Sequence, residues 1–153
     1  MKPIVNRKAR FHYHLLEEYE TGIALTGGEV KAIKSGRMDL SSAYVSVSSH
    51  ELYLVGANIP PYKFAAASID YNPTKPRKLL MHKQEIHFLE GKLSGKGLTL
   101  IPVKVYTKRN RVKVAIALAK GKGRVDKRES ILKRETERKI GRIIRGKYDR
   151  IRE

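Results

Sequence analysis

Residues 98–106 and 112–118 are two alternating, β-branched runs joined across Lys108, Arg109, Asn110 and Arg111. Strict alternation sends successive side chains to opposite faces, so each run reads as a strand, and the short polar link between them marks a turn. A chain that carries this pair is committed to a core that is mainly β.

The rest of the body agrees. Residues 11–19 alternate, with Phe11, Tyr13 and Leu15 on one parity and His12, His14 and Leu16 on the other, and they read as a strand that residues 22–25 continue. Thr26 and Glu29 match a capping box, Val30 and Ile33 follow at helical spacing, and Gly36 ends a helix over about 27–35. Ala43, Val45 and Val47 alternate with Tyr44, Ser46 and Ser48; beyond Ser49 and His50, residues 52–55 complete a hairpin. Pro60, Pro61, Pro73 and Pro76 make residues 56–76 loop or edge strand. Ile86, Leu89 and Leu93 indicate a helix over about 82–94, closed by Gly95. Short strands with short helices, one of them between strands in mid-chain, predict an OB-like closed β-barrel with flanking helices. An open α+β sheet is the alternative.

Charge is unevenly placed. The net charge is +18 in 153 residues. Residues 1–103 hold 14 basic and 9 acidic residues, net +5; residues 104–153 hold 19 and 6, net +13. A polyanionic partner is implied, nucleic acid first and an anionic membrane second. From Gly121 onward apolar residues are few, but Leu132, Ile140, Ile144 and Tyr148 keep an i, i+4 lattice, with Ile143 and Ile151 beside it. That stripe is too thin for a firmly stable isolated helix, so the tail is expected to be disordered when free and helical on a partner. It also lacks Trp and Phe, which weakens the membrane reading. The boundary is placed so that residues 1–123 form the barrel and 124–153 the basic tail.

No cysteine is present, which excludes disulfides and thiolate zinc sites. No apolar run approaches the ~20 residues of a membrane span, and a soluble, cytoplasmic protein is expected. No nucleophile, base and stabiliser stand out together, so no enzymatic activity and no cofactor are expected. His12 and His14, two apart on one predicted strand face, are the nearest approach to a metal site, and solvent-facing strand residues are the simpler reading. The segments 95–97 and 121–123 lack phosphate-loop spacing and read as turns. Nucleic-acid binding has more behind it. Arg10, Phe11, His12 and Tyr13 interleave stacking surfaces with charge, and Arg77, Lys78, Lys120 and Lys122 add cationic points. A ribosomal or general RNA-binding protein built on an OB-like barrel fits the same features.

Several motifs in one order narrow this further. They are residues 6–10 (Asn6, Arg7, Lys8, Ala9, Arg10), Tyr13, residues 19–23, residues 28–31, Ala43 with Tyr44, residues 59–62, Pro73, residues 77–80 with His82, and Gly121 with Lys122 and residues 126–128. Together they resemble the bacterial tmRNA-binding small protein B family, the SsrA-binding or SmpB proteins. The resemblance implies an OB fold and binding to the tRNA-like domain of tmRNA. It implies delivery of that RNA to stalled ribosomes for trans-translation, with no catalytic step. The partners implied are tmRNA, the small-subunit decoding centre and the mRNA channel, and indirectly elongation factor Tu and alanyl-tRNA synthetase through charged tmRNA. By position it implies an RNA-facing set of Asn6, Glu20, Lys31, Lys34, Arg77, Lys78, Leu80, Lys120, Gly121 and Lys122, to which the aromatic-basic segment adds Lys8, Arg10, Phe11 and Tyr13. Glu20 would accept from base amino groups or fix a neighbouring arginine. Leu80 would pack on an unstacked base. In the tail, Asp126, Lys127, Arg128, Ile143 and Ile144 would act at the decoding centre. Where many members carry a stacking histidine, this chain has Phe11, with His12 one place later.

Overall fold

The long hairpin organises the protein. In the computed structural model, which describes residues 1–64, 70–95 and 97–151, the elements run in the order β1 (Ile4–Val5), α1 (Arg7–His12), β2 (Tyr13–Ile23), α2 (Gly27–Lys34), β3 (Tyr44–Ser48), β4 (Glu51–Val55), β5 (Arg77–Leu80), α3 (Lys83–Leu93), β6 (Leu98–Lys108), β7 (Arg111–Gly121) and α4 (Arg124–Ile151). Two units result, Met1–Gly121 and Lys122–Glu153.

In the first unit every strand pairing is antiparallel, in the order β1-β6-β3-β4-β5-β2-β7. Strand β7 pairs back onto β6, so six strands close a ring and β1 flanks β6 from outside it. Closure leaves few unpaired strand edges. Both tight hairpins turn through left-handed residues, Ser49 and His50 (φ 50° and 61°) and Arg109 and Asn110 (φ 50° and 62°). Two such residues in succession match the right-handed strand twist. Inside the ring, Leu52, Leu54, Leu79, Leu100, Val105, Val114 and Ile116 meet Ile33 of α2 and Leu89 of α3, all essentially without solvent contact. Full burial of each such side chain is worth roughly 1.5–3 kcal/mol. The capping box forms: Thr26 Oγ1 accepts from the Glu29 amide at 3.3 Å, and Glu29 Oε1 accepts from the Thr26 amide at 3.2 Å. Gly56 has φ +77°, and a Cβ there would lie 2.6 Å from the Ser42 carbonyl oxygen, so glycine is required where the chain leaves β4.

Three elements differ from the sequence expectation. Residues 7–12 are helical, so the alternation at Phe11 and His12 does not belong to a strand. Asn6 caps that helix, accepting from the Ala9 amide at 3.3 Å, and Ala9 is buried with Ile101 and Ala119. Residues 77–80 form the strand β5, and Ile4 and Val5 form β1; both are short, and tertiary pairing rather than alternation defines them. Pro102 stands in mid-strand beside a bulge of β6 between Pro102 and Lys104, the kind of place a strand proline occupies.

Glu29 and Arg77 form a buried ion pair, each 2% exposed. Arg77 Nε donates to Glu29 Oε2. Its Nη1 donates to the carbonyls of Ala57 and Lys75, both at 3.1 Å, and its Nη2 to Pro73 O at 3.0 Å and Tyr71 Oη at 3.3 Å. All five guanidinium hydrogens are thereby placed. Burial alone would push the Glu29 carboxyl up, but the Arg77 hydrogen bond, the Thr26 amide, the Arg77 charge and the Thr26 hydroxyl together hold it below the usual carboxylate range.

In the second unit, α4 carries Leu132, Ile140 and Ile143 as exposed apolar side chains; those of Ile144, Tyr148 and Ile151 lie outside the described residues. Among the described residues no helix is long and apolar enough to cross a membrane.

Two outcomes follow from the buried pair. Glu29→Gln strands the buried Arg77 charge, and Arg77→Ala leaves Glu29 with only the partly exposed Lys75 at 3.4 Å as a counter-ion among the described residues; each is expected to cost ~3–5 kcal/mol in urea unfolding, and a loss below about 1 kcal/mol contradicts the role given to the pair. A carboxylate held low stabilises the fold fully above its unfolded pKa, near ~4.3, and less as pH falls through its folded value. Wild-type stability should therefore fall on acidification below about pH 4–5, and Glu29→Gln should show a shallower fall over that window in pH-dependent melts.

Candidate nucleic-acid interface

The register of β2 on β7 separates the expected RNA-facing residues. Tyr13 lies opposite Gly121 and His14 opposite Lys120, whereas Gly22 lies opposite Lys113. At ~3.3 Å per residue, the nine residue-to-residue steps from Tyr13 to Gly22 span up to about 30 Å. The body thus has two ends.

At the first end, Lys8 and Arg10 project from α1, and Lys120 and Gly121 are exposed at the end of β7. Phe11 is partly buried and meets His12 edge-on at 5.0 Å. Tyr13 packs on the Ala9, Ile101 and Ala119 cluster. Asn6 is not on the surface. It is 5% exposed, its Nδ2 donates to Pro102 O at 2.9 Å, and its amide donates to Val103 O at 2.8 Å. Its side chain is used to seat α1 on the β6 bulge, which is a scaffold role. His12 ends α1 while His14 lies on β2, so they do not share a strand face as the sequence suggested. Among the described residues no group of three or more His, Asp or Glu could hold a metal ion.

At the second end, Thr21 turns inward, its hydroxyl donating to Val114 O at 3.0 Å, so its neighbours Glu20 and Gly22 face outward. Leu80 pairs across from Gly22 and is 51% exposed; a Cβ on Gly22 would sit 3.2 Å from Leu80 Cβ. The glycine therefore lets Leu80 lie over β2 on the face that carries Glu20. Tyr106 Oη donates to Glu20 Oε2, and Lys108 Nζ lies 3.4 Å from Glu20 Oε1. The Tyr106 hydrogen bond chiefly, opposed by burial and aided by the charge and hydrogen bond of Lys108 and the charge of Lys113, holds the Glu20 carboxyl low. Burial first, then the Glu20 hydrogen bond and the charges of Glu20 and Glu18, push the Tyr106 hydroxyl up to about 12. Glu20, Lys108, Arg109, Arg111 and Lys113 line one open cleft: four cations around a single oriented carboxylate.

Helix α2 adjoins this end. Lys34 Nζ donates to Asn110 Oδ1 at 2.9 Å, and Lys31 Nζ sits 5.7 Å from the Tyr62 ring centroid. Lys78 is exposed and pairs with Glu51 at 2.9 Å. Arg77 is the second expected contact found inside; with all its donors engaged it shapes the loop before β5 and has no surface to offer an RNA. The sequence reading passed over Tyr106, Lys108, Arg109, Arg111 and Lys113. Four cations fall within six positions of a strand–turn–strand there; Lys108, Arg109 and Arg111 read as a connector and Lys113 as part of the strand that follows.

In the second unit, Lys122 Nζ donates to Ser130 Oγ at 3.0 Å. Asp126 Oδ2 accepts from the Gly123 amide at 3.3 Å, placing a carboxylate at the positive end of α4. Lys127 is partly exposed, Arg128 is exposed and Ile143 is 63% exposed; the Ile144 side chain lies outside the described residues.

The family model described as "SmpB protein" matches residues 3–146. The SsrA-binding protein of Symbiobacterium thermophilum is 47% identical over 145 residues, covering 94% of this chain and 91% of that one. The SsrA-binding proteins of Carboxydothermus hydrogenoformans and Desulforudis audaxviator are 48% and 49% identical, covering 94% and 93% of this chain and 95% and 92% of theirs. A solved structure described as "tmRNA-SmpB: a journey to the center of the bacterial ribosome" matches with a TM-score of 0.66 at 41% identity, over 84% of this chain and 94% of that one. Matched over most of its length by the family model and nearly half identical to these relatives, the chain belongs to the SmpB protein family.

Proposed function

We propose that this chain binds the tRNA-like domain of tmRNA and delivers it to stalled ribosomes for trans-translation. The observation that carries the reading is the 41% identical structural match, whose description joins SmpB to tmRNA and the bacterial ribosome. The net charge of +18 and the cation-lined cleft around Glu20 supply the chemistry. Phosphates take the cations, and the carboxylate, aimed by Tyr106, accepts from a base amino group. The protein acts by binding and positioning, with no catalytic step of its own, and works in the cytoplasm. Its contact with elongation factor Tu and alanyl-tRNA synthetase is indirect, through charged tmRNA.

The six-strand ring is read as an OB-like closed barrel that holds the RNA in residues 1–123. Residues 124–153 are read as a separate working part. Leu132, Ile140 and Ile143 are exposed on α4, and an apolar stripe this sparse does not stabilise a free helix. The helix then forms where a partner covers it. The mRNA channel of the small subunit, lined by RNA and empty once the message has run out, suits its charge, and Asp126, Lys127, Arg128, Ile143 and Ile144 act at the decoding centre beside it.

Two experiments test the reading. Filter binding to a transcript of the tRNA-like domain should lose ~10³–10⁵ in affinity between 50 and 200 mM salt, as a footprint of about 6–10 phosphates requires; a flat salt dependence contradicts it. A chain ending at Gly123 should bind that transcript within a few-fold of full length yet fail to tag nascent chains in a reconstituted stalled-ribosome assay, and full tagging without the tail would remove its role.

A further inference from the structure

We propose that the β6–β7 tip, α2 and the segment ending at Phe64 form one continuous track for the tRNA-like domain. Arg109 and Arg111 hold phosphates at one end, and Tyr62 with Phe64 stacks an unpaired base at the other. This rests on the tmRNA-binding reading above and extends its footprint to residues that neither the motifs nor the resemblance singled out for contact with RNA.

The tip supplies the phosphate end. Arg109 and Asn110 hold left-handed backbone, which Asn tolerates and Arg adopts less readily. That turn presents Arg109 and Arg111 on either side of Asn110, and both are exposed. Among the described residues neither guanidinium has an ion-pair or hydrogen-bond partner, whereas Lys108 is drawn to Glu20 and Lys34 to Asn110. A guanidinium with its fork open suits a phosphate.

Helix α2 carries the track onward. Lys34 ties it to the tip through Asn110, and Lys31, three residues earlier, is its neighbour on the helix surface. Lys31 lies 5.7 Å from the Tyr62 ring, which meets Phe64 edge-on at 5.7 Å and 68°. Phe64 is 79% exposed, with Lys63 Nζ 5.7 Å from its ring. An exposed ring bordered by ammonium groups offers a base a π-face and its phosphate a charge. The track continues from Glu20 and Leu80, which lie at this same end of the body, and that continuity commits it to the tRNA-like domain.

The test uses the full-length chain, a transcript of the tRNA-like domain and a blunt RNA duplex of equal length, in filter binding from 50 to 200 mM salt. Arg109→Ala with Arg111→Ala should weaken both RNAs and flatten the salt slope by about one unit per arginine. Phe64→Ala should weaken the folded transcript about tenfold, leave its slope unchanged and leave the duplex within about twofold, because a duplex offers no unstacked base. Phe64→Trp should restore binding. These side chains are exposed, so all variants should melt with the wild type. An unchanged slope in the arginine variant overturns the track, as does a Phe64→Ala effect that is absent or equal on the two RNAs. Failure of the wild type to bind the transcript overturns the tmRNA reading itself, and the track with it.

Discussion

Five donors on one buried side chain organise the body. Arg77 spends one on Glu29, two on the carbonyls of Ala57 and Lys75, and two on Pro73 and Tyr71. Glu29 is at once the N3 residue of the α2 capping box, so the start of α2, the strand β5 and both flanks of the proline-rich segment are fixed by one pair. A charge sealed from water must have such partners, because an unmet donor there costs more than the bond returns. Two elements at the second end of the body depend on this. Strand β5 presents Leu80 over Gly22, and α2 presents Lys31 and Lys34 beside the hairpin tip.

The surface then follows from register. Antiparallel pairing of β2 with β7 separates the segment around Tyr13 and Lys120 from the group around Glu20 by most of a long strand. Alternation sends Thr21 into the core and Glu20 outward, so the carboxylate stands among cations from β6 and β7. The Tyr106 hydroxyl fixes its direction. In the proposed complex this acidic group selects, while the cations around it attract.

Much of this was legible in the sequence where the signal was local. The capping box at Thr26 and Glu29, the hairpins and the helix over 83–93 follow from spacing alone. What the sequence hid was decided at long range. Asn6 and Arg77 look like surface polar residues in a basic chain, and only the carbonyl groups that gather around them from Pro102 and the 57–75 segment show them to be scaffold. The helix over residues 7–12 was masked by a chance alternation of aromatic and histidine side chains, and its cap at Asn6 was the signal available. Strand β5 has only four residues, too few for a period to declare itself. The cations of the tip were in plain view as a turn, but nothing in the sequence placed Glu20 between them.

The central claim is that the body holds the RNA and the tail does not. Amide hydrogen exchange of the full-length chain, alone and with a transcript of the tRNA-like domain, tests it directly. The account predicts slowed exchange at residues 20–22, 31–34, 78–80 and 108–113, with the amides of residues 124–151 unchanged. Protection concentrated in residues 124–151, with the body unaltered, would contradict it.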